Sequence, residues 1–500
     1  MKRFTLSEQH TGRLFRWFAL LLVFPGIVLR IITWNLGRNL VIDEANVARN
    51  VAECSFTQLT QPLKYEQYAP PIFLWIEKLS TLLFGFGERA LWLYPLLCGI
   101  GAIYALYKIA QKIMPDSGAW LTTGLFALGF FYVAYSCTLK QYMPDAFIGL
   151  LLILLALNTS LTRAKKLRFT GIWILAGSIA IWSSMPSVFV LAGVSAYYSW
   201  PLLKERKWSF FVPLLPIFAL WLVQFICYYL AILQPQAESD YLQNYHRDFF
   251  LHLLPASAAE WKHNITRLYE IVGYMGGWTV IAMGLNLLLL FTGFILLARK
   301  HVTQFLLLII PVIAVLFAAA FHKFSLIERV IMFLYPLLLL FVGYGFAQLW
   351  RVKYVAVKVV LLLAGMITLF GNAHFSHYVH YKDQTFQIRE GLDYLSAKKV
   401  RGDQLYVPGP SVATYVYYTT IHPQHQQYNT ITGAHLLSWS DDFSVVTRNL
   451  RDTTWFIFSE DFKETERNRR LGEIEQHMKL FDHFEKHNAF VFGYLPKPAP

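Results

Sequence analysis

The sequence predicts a mainly α-helical, polytopic membrane protein of about 11 transmembrane helices, ending in a small extracytoplasmic α/β domain. Three observations carry this. Of its 500 residues, 56% are hydrophobic and only 15% charged, with a mean hydropathy of +0.40, where a soluble domain holds about 25% charged residues. Apolar runs recur from Leu14 to Phe370, each near the roughly 20 residues needed to cross a hydrocarbon core, and that character stops at about Asn372. The third observation is where the charge sits. Segments 1–16, 107–117, 161–169, 203–208, 298–304 and 351–358 hold 18 of the 44 basic residues and three of the 31 acids, leaving 26 and 28 for the rest of the chain. A net charge of +13 distributed this way is the positive-inside pattern and not a nucleic-acid footprint.

The element order follows from these patterns. Spans are expected near 15–33, 90–111, 117–136, 143–160, 170–184, 186–200, 209–232, 275–297, 305–321, 330–349 and 354–372. An odd number carries a cytoplasmic N-terminus to an outer C-terminus in a cell (inner or plasma) membrane. The short pair at 170–200 turns at Ser183-Ser184-Met185-Pro186-Ser187, and two crossings are favoured because both flanks are basic. The first apolar run is flanked as an anchor and not as a cleaved leader. Residues 1–372 are expected to form the membrane domain, with outer loops 34–88 and 233–274. Within the first loop, helical spacing of Ala45, Ala48, Val51 and Ala52 predicts a short helix over 43–53, and a second is expected near 72–84. Loop 233–274 has the aromatic and charged mixture of a headgroup boundary. Residues 373–500 are expected to form the outer domain, with a helix over 387–399 and strands at 404–407, 455–458 and 489–494. The four cysteines (54, 98, 137 and 227) have no metal or disulfide spacing, although Cys54 and Cys137 both fall near the outer face.

Four outer stretches carry residues that a connector does not need. Asp43-Glu44 lies about ten residues beyond the first span. Asp43 suits the cap of the helix that starts there, and equally a base for an acceptor hydroxyl or amine at a partly desolvated boundary. In Tyr65-Glu66-Gln67-Tyr68-Ala69-Pro70-Pro71, the prolines make a rigid loop that starts the following helix. They leave Glu66 and Gln67 as candidates to bind a sugar or help hold a divalent metal such as Mg2+ or Mn2+. The turn Lys140-Gln141-Tyr142-Met143-Pro144-Asp145 carries two charges. Lys140 is either a snorkelling side chain or a phosphate ligand; Asp145 either starts a helix, orients that lysine, or binds a hydroxyl or metal. In His322-Lys323 through Glu328-Arg329, a boundary guanidinium needs an anion: Glu328, a lipid headgroup, or the phosphate of a substrate. All four stretches fall on one side of the membrane, which suits a substrate with an anionic head and a greasy tail.

These residues resemble the GT-C class of polytopic glycosyltransferases, specifically relatives of protein O-mannosyltransferases and of the lipid A aminoarabinose transferase. The likeness rests on Asp43-Glu44 shortly after the first span and the Pro70-Pro71 segment followed by Trp75. It also rests on the Lys140-Gln141-Tyr142-x-x-Asp145 turn and on Arg329 before PheLeuTyrPro. The resemblance implies transfer of a sugar from a polyprenyl-phosphate donor to a lipid, glycan or protein acceptor on the non-cytoplasmic side. It implies Asp43 as the catalytic carboxylate with Glu44 its companion. It implies Lys140 and Arg329 as ligands of the donor phosphate; the reading of the four stretches themselves adds Glu66, Gln67, Tyr68, Tyr142, Asp145, His322 and Lys323 as residues expected to contact substrate. The aminoarabinose transferases have Lys directly before the Pro pair where this chain has Ala69, so donor preference does not carry over. The chain has no phosphate-cradling glycine loop, in keeping with a donor that is not a nucleotide. A lipid or glycolipid flippase is the main rival class; it would show inverted repeats and ionisable residues deep in the spans.

Overall fold

The computed structural model describes residues 8–162, 166–237, 239–379, 387–439, 441, 443–448, 450–459, 464–486 and 488–497. They fall into two compact units. The first comprises 1–34, 60–75 and 93–378; the second comprises 35–59, 76–92 and 379–500.

The first unit is helical throughout. Among the described residues seven helices are long and apolar enough to cross a membrane: Gly12–Leu36, Leu93–Ile113, Trp208–Leu233, Val280–Lys300, Val302–Ala320, Met332–Leu349 and Val355–Ala373. Three further helices occupy other expected spans, Tyr142–Asn158 of 17 residues and Lys166–Ser183 and Ser187–Lys204 of 18 each. Met332–Leu349 is the most enclosed of the seven, and glycines let its neighbours approach. A Cβ on Gly293 would stand 1.9 Å from the Phe341 carbonyl oxygen, and one on Gly118 2.1 Å from that of Gly343. Close backbone packing of this kind replaces the hydrophobic drive that helices lack inside lipid.

One expected span is not continuous. Over 117–136 the chain forms Asp116–Leu128 and Phe130–Tyr135, separated by Gly129 in an extended conformation (φ −61°, ψ 121°). Glycine is a poor helix former and so a cheap residue at which to break a helix, but the break frees carbonyls that lipid cannot satisfy. Arg30, fully buried on the first helix, takes them. Its Nη1 donates to the Ala127 oxygen at 2.7 Å and its Nη2 to the Phe126 oxygen at 3.2 Å.

The second unit is built on a five-stranded sheet, β1 (Gln404–Val407), β2 (His435–Leu436), β3 (Thr454–Ser459), β4 (Met478–Lys486) and β5 (Ala489–Pro496), in the order β2-β1-β3-β5-β4. β1 runs parallel to β2 and β3, whereas β5 is antiparallel to β3 and β4. Alternation along β3 and β5 sets the layers. Ile457, Ala489 and Val491 face Gly391 on the Ile388–Lys398 helix. Phe456, Phe458, Phe490 and Phe492 instead form a core with Phe443 and Ile474 from helices Phe443–Arg448 and Glu464–His477. β3 is buried on both faces, which explains its unbroken apolar run. The expected helix and three strands are present; β2, β4 and the Glu464–His477 helix are additions.

Residues 35–59 and 76–92 belong to this same unit. They contribute the helix Ile42–Glu53 and the later part of Pro71–Phe84. Glu88 anchors the second stretch. It accepts from the Tyr418 hydroxyl at 3.0 Å, faces His422 Nε2 at 3.2 Å and lies 3.5 Å from Arg389 Nη1. Cys54 and Cys227 are free thiols.

Candidate functional site

In the first unit the turn 136–141 is held by the first helix. Arg30 Nε donates to Ser136 Oγ at 3.0 Å, and Ser136 Oγ donates to the Tyr132 carbonyl at 2.7 Å. The turn then presents Lys140, 7% exposed, whose ammonium donates to Gln67 Oε1. Gln67 Nε2 in turn donates to the Tyr65 carbonyl at 3.2 Å. Glu66 reaches a different segment: its Oε2 accepts from Ser239 Oγ at 2.7 Å. Tyr142 is buried edge-on against Tyr135, with ring centres 5.7 Å apart. Asp145 is buried on the Tyr142–Asn158 helix, beside Ser184, with its Oδ1 lacking a hydrogen-bond partner among the described residues.

A cavity of about 380 Å³ opens in the same unit. Its wall is largely apolar, with Phe189 and Phe250 among its members, and Tyr68, His246, His322 and Lys323 supply polar groups. Two of the late-turn residues expected to bind substrate, His322 and Lys323, thus share one cavity with Tyr68. His322 adopts φ +56° and stacks on Phe250, ring centres 5.0 Å apart. Arg329, where the sequence suggested Glu328 as a structural anion, donates to the Tyr245 hydroxyl at 2.6 Å and lies over its ring.

Asp43 and Glu44 lie in the second unit and differ sharply in environment. The helix begins at Ile42 with Val41 as its cap residue, so Asp43 sits inside the first turn and is not the cap. Glu44 closes that turn instead, its Oε2 accepting from the Val41 amide at 3.1 Å. It is fully buried. Arg38 forks onto both its oxygens, with Nη2 to Oε1 at 3.0 Å, and Trp92 Nε1 donates to Oε1 at 3.0 Å. Arg38 also lies 4.8 Å from the Trp92 ring centre. Asp43 is only half-buried. One carboxylate is spent on structure, and its neighbour stays within reach of solvent.

Sequence reasoning missed Arg30, Arg38 and Trp92. An arginine inside the first apolar run was the available signal for the first of these, since an intramembrane charge needs a named partner. Among the described residues no group of three or more His, Cys, Asp or Glu side chains stands together as a metal site would require.

Residues 68–229 match the family model described as dolichyl-phosphate-mannose-protein mannosyltransferase. A comparison with curated proteins gave no match. Solved structures similar to the chain include ArnT from Cupriavidus metallidurans in the apo state, with a TM-score of 0.55 at 14% identity, covering 95% of this chain and 97% of that one. The same protein bound to undecaprenyl phosphate gives 0.53 at 15% identity, covering 97% and 98%. An Archaeoglobus fulgidus oligosaccharyltransferase tethered to an acceptor peptide gives 0.51 at 11% identity, covering 96% and 74%. The chain is a multi-pass membrane protein with the fold of the GT-C glycosyltransferases, and within it residues 68–229 match the mannosyltransferase family.

Proposed function

We propose that the protein transfers a sugar from a polyprenyl-phosphate donor to a lipid, glycan or protein acceptor on the non-cytoplasmic side of the membrane. The observation that carries this reading is the apolar cavity with Lys323, His322 and His246 on its wall. Such a cavity suits the first isoprene units of a carrier. The fold supports the donor class, because it is shared with an ArnT whose structure holds undecaprenyl phosphate.

The reaction is an inverting displacement. Asp43 accepts the proton of the acceptor hydroxyl or amine. That oxygen or nitrogen bonds to the anomeric carbon, and the bond from that carbon to the phosphate oxygen breaks, its electron pair leaving on the carrier phosphate. Lys140 and Arg329 stabilise the departing phosphate charge. Glu44 acts as a positioning residue, holding the first turn on which Asp43 stands. Asp145 and Tyr142 border the Lys140 turn and complete the substrate-contacting set.

The test is to incubate purified protein in liposomes with a panel of polyprenyl-phosphate sugars and acceptors, wild type beside Asp43→Asn. Transfer by the wild type that falls about 10²–10⁴-fold in the variant is expected for loss of a general base. Undiminished transfer in Asp43→Asn removes Asp43 from the mechanism. Lipid movement across the bilayer without sugar transfer favours the flippase.

A further inference from the structure

We infer that Gln67 is a positioning residue, which aims Lys140 at the donor phosphate and does not itself touch the sugar. The inference rests on the reading of Lys140 proposed above. The bond between them joins residues 73 positions apart, and both are almost fully buried, Gln67 at 6% and Lys140 at 7% exposure. The amide of Gln67 is used at both ends: its oxygen accepts from the ammonium, and its nitrogen donates to the Tyr65 carbonyl. A glutamine so held, at 6% exposure, has its rotamer locked.

The backbone before it is arranged to the same end. Tyr65 and Glu66 are consecutive left-handed residues, at φ +63° and +52°, a conformation that non-glycine residues adopt at a cost. Three contacts hold the turn in that state. Glu66 bonds to Ser239, the Gln67 amide bonds back to Tyr65, and Pro70-Pro71 fixes the chain that follows. The product of this strain is a single geometry in which Gln67 meets Lys140 while the next residue, Tyr68, stands on the cavity wall. A neutral acceptor is the right chemistry for the role. An amide oxygen orients an ammonium without cancelling its charge, whereas a carboxylate in its place would form an ion pair and compete with the phosphate.

The experiment is a double-mutant cycle on binding of undecaprenyl phosphate to the full-length protein in nanodiscs, with thermal midpoints recorded for every variant. Binding by wild type that is lost about tenfold in Lys140→Met establishes the phosphate role of Lys140. Failure of that step overturns the parent reading and this inference with it. With that step met, Gln67→Met is expected to weaken binding about tenfold alone and to add nothing in the Lys140→Met background. Gln67→Glu, which keeps an acceptor for Lys140 but loses the donor to the Tyr65 carbonyl, is expected to weaken binding by pairing with the ammonium, in a protein whose thermal transition shows that it is still folded. Additive effects of Gln67→Met and Lys140→Met, or wild-type affinity in Gln67→Glu, overturn the inference and leave the role of Lys140 standing.

Discussion

Arg30 shows how one side chain can set a site it never touches. Four hydrogen bonds leave its guanidinium, to the carbonyls of Gly26, Phe126 and Ala127 and to Ser136 Oγ. Arg30→Met strands the Phe126 and Ala127 carbonyls in an apolar interior. The expected cost is about 2–4 kcal/mol, read as a lower thermal midpoint in detergent. Arg30→Lys is not expected to restore it, because a single ammonium lacks the planar fork that reaches carbonyls on one side and Ser136 on the other. The adjacent pair Asp43-Glu44 separates by the same logic. Glu44→Gln leaves the Arg38 charge buried at 4% exposure with half its partner gone, an expected loss of about 3–5 kcal/mol. Asp43→Asn is expected to change stability by less than about 1 kcal/mol, since its side chain is half-buried and off the cap. Asp43, Lys140 and Arg329 were legible as charges where connectors need none. The bonds Arg30–Ser136 and Lys140–Gln67 were not, because each joins residues that only the folded chain brings together.

Helices and strands were legible to the extent that their periodicity was local. Ile42–Glu53 and Pro71–Phe84 carry helical spacing in their own sequences, and β1, β3 and β5 are short apolar runs. The break at Gly129 lies inside an apolar run that reads as one span, and what permits it is an arginine on another helix. β4 went unseen because it is an edge strand whose outer residues are exposed and charged, so its sequence shows no apolar alternation. Two buried carboxyls make opposite statements about pH within the second unit. Burial pushes Glu88 up, but the His422 hydrogen bond and charge, with Arg389 behind them, outweigh it and leave the carboxyl below its ordinary 4.5. The folded state therefore binds this proton more weakly than the unfolded state. The stabilisation is present above pH 4.5 and is lost as pH falls through the folded value. Glu77, fully buried with neither oxygen hydrogen-bonded among the described residues, is raised well above 4.5 by desolvation. It costs stability progressively as pH rises above 4.5. Thermal midpoints measured from about pH 3 to pH 8 are expected to lose their acid-side slope in Glu88→Gln and to gain at the neutral end in Glu77→Gln.

The division of the chain into lipid-facing helices and a sheet-bearing domain could be read from hydropathy alone, because apolar runs near the roughly 20-residue span length have few alternatives. Two features could not. Segments 35–59 and 76–92 join the sheet-bearing unit through contacts such as Glu88 with Tyr418 and His422, which no local pattern announces. The cavity is assembled from five separated stretches, around Tyr68, 185–189, 225–233, 242–250 and 318–330, and no one of them is concave by itself. On the function proposed above, a lipid phosphate leaves as the sugar is transferred. The most direct measurement is mass spectrometry of the lipid fraction after incubation of the purified protein with a polyprenyl-phosphate sugar and a mixed acceptor extract. Free polyprenyl phosphate, released one for one with glycosylated acceptor by wild type and not by Asp43→Asn, is the predicted result. A carrier that stays intact with every donor supplied, or that is released equally by both proteins, would contradict the account.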